Sequence, residues 1–451
     1  MSRPDQAQFS VLALAIPSML TYVAFAIRQF TDALMVGRLG MTEPLAAIMP
    51  AQQVMFVILS FGSGLAAALN TVASQALAKN DTKEAGLLCW QSVWIALIAG
   101  TIMTQLFWFA PNLMGLFGHQ QVVYAYEVAY FEIAIWAIIP QFISLALSNF
   151  FFAIQRPKIS MWIGIGYVVI NIIANRIFIF GWGFEGLGMV GAAWGTIIAA
   201  SFQMVALFVV FIFDPSIKPY LRWPSFAVDR IRRLLRIGPY NAGIDVVDIL
   251  FWNIGIVFFV GQFGTTHLAA AAVMVSILDL VVFPVHGVFV ALTSVVGRYA
   301  AAGRHEDAFR EVRHTVIVSV CVTALLGIVL WLCSPLIYEF VSGDPDVARI
   351  GQRCMAMLPL ILGFSAWFYV VDGALNGAGD ARFPFIVLLI SNFLIIGGGG
   401  YLCLIYYGDL GSFVIWVCVM VNRGVIAVIA SARWKSGAWK NLPPFDLAES
   451  K

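Results

Sequence analysis

Charge is scarce in this sequence. Of its 451 residues only 11% are Asp, Glu, Lys or Arg, against roughly 25% in an ordinary soluble domain. The deficit runs the whole length, which excludes a soluble protein with a single anchor and leaves an integral membrane protein. Cysteine is sparse too. Cys89, Cys321, Cys333, Cys354, Cys403 and Cys418 are scattered without a CxxC spacing, which excludes a zinc site or a disulfide framework and reads as small core residues. No GxxxxGK[ST] or HExxH occurs, so neither a nucleotide-binding loop nor a zinc-protease helix is present. The polar start "MSRPDQAQFS" runs into an apolar stretch without a small-residue cleavage site, so it is read as leading into a retained first span. A net charge of +2 carries no nucleic-acid footprint.

Apolar runs are abundant: 61% of residues are hydrophobic and the mean hydropathy is +0.89. At about 20 residues per crossing, twelve spans are expected, at 11–37, 46–70, 86–112, 122–153, 159–181, 188–213, 238–263, 268–296, 314–340, 354–375, 383–407 and 410–432. Pro17, Pro140, Pro284 and Pro359 lie in or near spans and are candidate kinks. With both termini inside, most Lys and Arg fall in cytoplasmic segments. Only Arg38, Arg349 and Arg353 fall outside, and Arg28, Arg176 and Arg423 lie within spans. This is the positive-inside pattern, with both termini cytoplasmic.

The longest polar connection, 214–237, separates two sets of six spans, and its basic amphipathic end is expected on the inner membrane surface. The two sets repeat one another. "RLGMTEPLAA" (38–47) aligns with "QFGTTHLAA" (262–270), and "SQALAKNDTKEA" (74–85) with "GRYAAAGRHEDA" (297–308). "IQRPKISMWIGIGYVVIN" (154–171) aligns with "LNGAGDARFPFIVLLISN" (375–392), placing Asn171 over Asn392. The expectation is an all-α polytopic membrane protein with twelve transmembrane helices in two pseudo-symmetric six-helix lobes, 1–213 and 238–432. A cytoplasmic linker, 214–237, joins them, and a cytoplasmic tail, 433–451, follows.

Several motifs in order carry a resemblance: Pro17 with "DALMVGRLG" (32–40) and "LAA", "SQALAKND" after the second span, "AIQRP" after the fourth, and "NIIANRIFIFGWGFEGLGMVGAAWGT" across the fifth and sixth. Over essentially its whole length the chain resembles the multidrug and toxic compound extrusion (MATE) transporters. That resemblance implies a secondary antiporter exporting organic cations or lipophilic drugs in exchange for protons or sodium. It implies no enzyme activity and no cofactor beyond the coupling ion. The expected setting is a prokaryotic-type plasma membrane, with membrane lipids as partners, no nucleic acid, and a monomer.

Charges inside spans are costly and so informative. Arg28, Asp32, Glu132, Arg176, Asp245, Asp248, Asp279, Asp372 and Arg423 are the candidates. Arg28 and Asp32 are four apart, on one helix face. They read either as an ion pair fixing helix packing, or as a coupling site in which Asp32 binds and releases charge. By the resemblance, that site comprises Asp32, Asn171, Asn175 and Thr196. Arg28 departs from the family pattern, and its guanidinium would compete with a metal cation. Glu132 and Glu185 are candidate partners for Arg176. In the second half Asp245 and Asp248 share a face of the seventh span, Asp279 and Asp372 join them as a second cation-coupling set, and Arg423 is a possible structural partner. Tyr22, Gln29, Gln52 and Gln141 are candidate cavity groups.

Rival classes lack support. "GAGD" (377–380) mimics an intramembrane aspartyl protease, yet no Tyr-Asp pair occurs, and "GSG" (62–64) lacks a rhomboid-type elbow. His286, inside a span, reads as core. "GGGG" (397–400) and "GAAWG" (191–195) read as close helix packing rather than a channel filter. The nearer alternative is a lipid-linked saccharide flippase of the same superfamily.

Overall fold

A computed structural model describes residues 11–37, 42–117, 119, 121–341, 345–407 and 411–441. Among the described residues the only regular secondary structure is helix. Ten helices are long and apolar enough to cross a membrane. The first helix, Val11–Gly37, and the seventh, Gly238–Gly261, complete twelve. Both carry charge within the span: Arg28 and Asp32 in the first, Asp245 and Asp248 in the seventh, where a π-helical segment, Leu250–Gly255, also interrupts the regular helix.

Helix ends follow local chemistry. The third helix starts at Thr82 because Asn80 adopts a left-handed φ of 59° and the Asp81 side chain accepts the Glu84 backbone N–H at 2.9 Å. Gly303, with φ of 70°, makes the same turn before the ninth helix. That helix runs His305–Leu332, starting earlier than hydropathy indicates. Its first turns are charged, and Glu306 and Asp307 complement the helix dipole. It stops before Ser334-Pro335, because proline cannot continue the ladder. Two short helices, Ser334–Val341 and Pro345–Met355, then precede the tenth, Leu358–Gly377.

The proline expectations divide. Pro17 and Pro284 lie inside helices. Pro140 follows a 3-10 turn, Ile135–Ala137, that breaks the fourth span, consistent with its missing N–H. Pro359 opens the tenth helix instead of bending one. The expected glycine packing also needs correction. Gly397, Gly398 and Gly399 lie in a π-helical segment, Asn392–Gly399, with ordinary clearance, and of that run only Gly400 meets a close neighbour, the Phe259 ring.

Contacts group the chain into two units, Thr21–Leu250 on the one hand and Met1–Leu20 with Phe251–Lys451 on the other. Each has its own close backbone approach. In the first, a Cβ at Gly64 of the second helix would run into the backbone of Asn241 and Ala242. In the second, one at Gly287 of the eighth helix would run into that of Ser18 and Met19. The first unit also carries the 214–237 segment, fastened to the third helix. Trp90 Nε1 donates to the Arg222 carbonyl (2.9 Å), and the Gln91 amide bonds Ser225 and Ala227. Arg230 and Arg233 both reach Glu84, at 2.9 and 3.1 Å. At the head of this segment Asp214 accepts from Ser216 Oγ and N, which holds its carboxyl below the usual carboxylate range.

Candidate functional site

The fifth helix, Pro157–Phe180, shows how the polar groups are placed. Gly164, Tyr167, Val168, Asn171, Ala174 and Asn175 are buried at helical spacing, while Trp162, Ile165, Val169 and Ile173 are exposed. Apolar side chains outward and polar ones inward is the arrangement of a helix bathed in lipid. Tyr167, Asn171 and Asn175 therefore form one stripe on the buried face, four residues apart.

That stripe meets the first helix at Asp32, which is wholly buried. Arg28 Nη1 donates to Asp32 Oδ2 at 2.7 Å, and Asn175 Nδ2 donates to Asp32 Oδ1 at 2.6 Å. Asn175 Nδ2 also lies 3.4 Å from Asn171 Oδ1. Tyr130 and Tyr167 stand close enough to both charges to interact with them electrostatically, and Gln52 and Gln141 adjoin these phenols. Gly195 of the sixth helix leaves room for the network, because a Cβ there would strike the Asn175 side chain. Asn171 Nδ2 and Asn175 Oδ1 are buried without a hydrogen-bond partner in the structure, so the site retains polar capacity that a substrate group can use.

Of the residues expected in this set, Arg28, Asp32, Asn171 and Asn175 come together, with Gln52 and Gln141 at its edge. Thr196 is buried, but its hydroxyl donates back to the Ala192 carbonyl at 3.1 Å. Tyr22 interacts electrostatically with Asp245. The Gln29 side chain lies outside the described residues. Tyr130, Tyr167 and Gly195 were missed as site residues. Tyr167 had a readable signal, one turn before Asn171 on the same stripe.

The donor set fits a resident guanidinium better than a metal cation. Both Asp32 oxygens face N–H donors, and the Arg28 charge stands against the carboxylate where a cation would. Sodium binding would require displacing a buried 2.7 Å ion pair.

The remaining intramembrane groups lie on several helices. Asp245 and Asp248 are half-buried in Gly238–Ile249. Asp279 is half-buried in the eighth helix, and Asp372 is buried in the tenth. Arg423 is buried with its guanidinium 4.8 Å from the Trp252 ring centre. Asn392, the repeat counterpart of Asn171, accepts from Asn422 at 2.7 Å. Arg176 corrects its expectation: it is exposed and lies 4.9 Å over the Phe180 ring, and among the described residues it makes no ion pair with Glu132 or Glu185. Glu127, unremarked in the sequence, is fully buried and meets His119 Nδ1 at 2.6 Å. His286 packs 4.5 Å from the Tyr369 ring.

Comparison with known proteins gives a consistent result. The MatE family model matches residues 17–177 and 244–399. A probable multidrug resistance protein NorM of Mesorhizobium japonicum is 26% identical over 439 residues, covering 94% of this chain and 93% of the relative. The uncharacterized transporter YisQ of Bacillus subtilis is 22% identical over 445 residues, covering 97% and 96%. The crystal structure of the eukaryotic MATE transporter AtDTX14 superposes with a TM-score of 0.86 at 18% identity, covering 95% and 96%. A MOP superfamily transporter of Pyrococcus furiosus, described as having a binding pocket of reverse polarity, gives 0.85 at 18% identity, covering 94% of each.

Proposed function

Because the chain belongs to the MATE family of transporters, a family model matching it through both halves, we propose that it exports small organic molecules in exchange for protons, with Asp32 as the coupling carboxylate. The observation that carries this reading is the buried Asp32 bridging Arg28 on its own helix to Asn175 on the fifth. An ionised Asp32 holds both donors. A protonated one has no charge to offer them, so a proton loosens the link between the two helices and substrate binding restores it. The two states then differ in affinity for proton and for substrate, which is what coupling requires.

Organic cations are the substrate class that the charge inventory favours. Asp32, Asp245, Asp248, Asp279 and Asp372 outnumber the arginines within spans, and relatives carry the name multidrug resistance protein. The basic-residue distribution supports cytoplasmic termini, and bacterial relatives support a prokaryotic plasma membrane. The test is export of a fluorescent organic cation from proteoliposomes under separate proton and sodium gradients. A proton gradient alone should drive export, and Asp32→Asn should abolish it. Export driven by sodium alone would overturn proton coupling, and no gradient-driven export of any cation would favour a lipid-linked saccharide flippase.

A further inference from the structure

The basic helix Val228–Leu235 uses its arginines on two different sides. Arg230 and Arg233 turn inward to Glu84, with Leu234 and Ile237 buried beside them. Val228, Arg232, Leu235 and Arg236 fall at positions i, i+4, i+7 and i+8, one stripe on the opposite side, and all four are exposed. Just before the helix, Trp223 is 90% exposed and Phe226 60%. Large aromatics left this open would be costly against water, at about 25 cal/mol per Å² of apolar surface. Aromatics beside arginines are instead what an interfacial segment presents to a bilayer. The surroundings agree: a membrane helix ends at Phe213 and the next begins at Gly238, so both ends of the segment are tied to crossing helices.

We propose that this stripe is a binding site for an anionic phospholipid of the leaflet it borders. Arg232 and Arg236, one turn apart, share the headgroup phosphate, while Trp223, Phe226 and Val228 enter the interfacial layer. Glu84 is what makes the site selective. By taking Arg230 and Arg233 it fixes the helix rotation, which leaves Arg232 and Arg236 on the outer side. The inference rests on the membrane placement proposed above and not on the coupling chemistry.

The experiment measures association of spin-labelled phosphatidylglycerol, relative to phosphatidylcholine, with the purified full chain in phosphatidylcholine vesicles. Wild type should prefer phosphatidylglycerol. Removing each arginine should reduce that preference about fivefold, so that Arg232→Gln/Arg236→Gln largely loses it. Arg310→Gln, at an exposed arginine elsewhere, should leave it unchanged. An equal loss in Arg310→Gln would reduce the effect to overall charge and overturn the site. Displacement of the lipid by excess inorganic phosphate would make it a site for free phosphate and overturn the lipid. The emission difference between wild type and Trp223→Phe should be quenched by lipids brominated near the headgroup, and an unquenched difference would place Trp223 in water. Since the readout is lipid association without transport, failure here is distinct from failure of proton coupling.

Discussion

A fully buried carboxylate can persist in an apolar helix only while its oxygens are engaged, and Asp32 meets that condition with Arg28 on one oxygen and Asn175 on the other. Removing one member of such a pair leaves an uncompensated charge. Arg28→Gln should therefore destabilise the purified protein by about 3–5 kcal/mol. The neutral pair Arg28→Gln/Asp32→Asn should recover most of that loss, as read by unfolding in detergent. Additive losses would mean that the two side chains do not stabilise one another. The pairing itself was legible, because four residues of helix place Arg28 above Asp32 and nothing cheaper than pairing accommodates both. The phenols were not. Tyr130 reaches the site from the part of the fourth span that precedes the Ile135–Ala137 break, and a single sequence contains no signal for which face that part turns inward.

Among helices, small residues decide what can approach. Gly195 permits Asn175 to sit where it bonds Asp32, so Gly195→Ala should cost about 1–3 kcal/mol through overpacking and weaken proton-driven export with it. Gly397→Ala, in a segment with ordinary clearance, should stay within about 0.5 kcal/mol. Thermal unfolding and transport of the two variants side by side test the contrast, and equal effects would contradict it. Both glycines read alike in sequence. "GAAWG" and "GGGG" each suggest close packing, yet the second run largely falls in a π-helical segment where the wider turn leaves its glycines uncrowded. Periodicity read from composition assumes a regular helix, which is why neither π segment, at Leu250–Gly255 or Asn392–Gly399, could be anticipated.

For the molecule as a whole, hydropathy and the internal repeat revealed the twelve-helix plan, since each crossing must be predominantly apolar over about 20 residues. The repeat extends further than the quoted motifs. Gly64 approaches Ala242, and Gly287 approaches Met19, at corresponding positions of the two halves. Sequence similarity shows which positions correspond, but it cannot say which copy packs against which, because both pairings place identical residue types together. Orientation has a direct check at Cys333, the exposed cap of the ninth helix. With cytoplasmic termini and twelve crossings it faces outward. A membrane-impermeant maleimide should label it in intact cells, and Cys333→Ser should remove that label. Labelling only after the membrane is opened would reverse the topology.

Coupling through Asp32 requires that substrate and proton compete for one carboxylate. Proton release on substrate addition to the purified protein, in weakly buffered detergent, measures this without a membrane or a gradient. Wild type should release close to one proton for each substrate bound, with release fading at high pH as Asp32 becomes fully ionised beforehand. Asp32→Asn should release none while still folding. Unchanged release from Asp32→Asn would contradict the assignment and move the coupling group elsewhere in the chain.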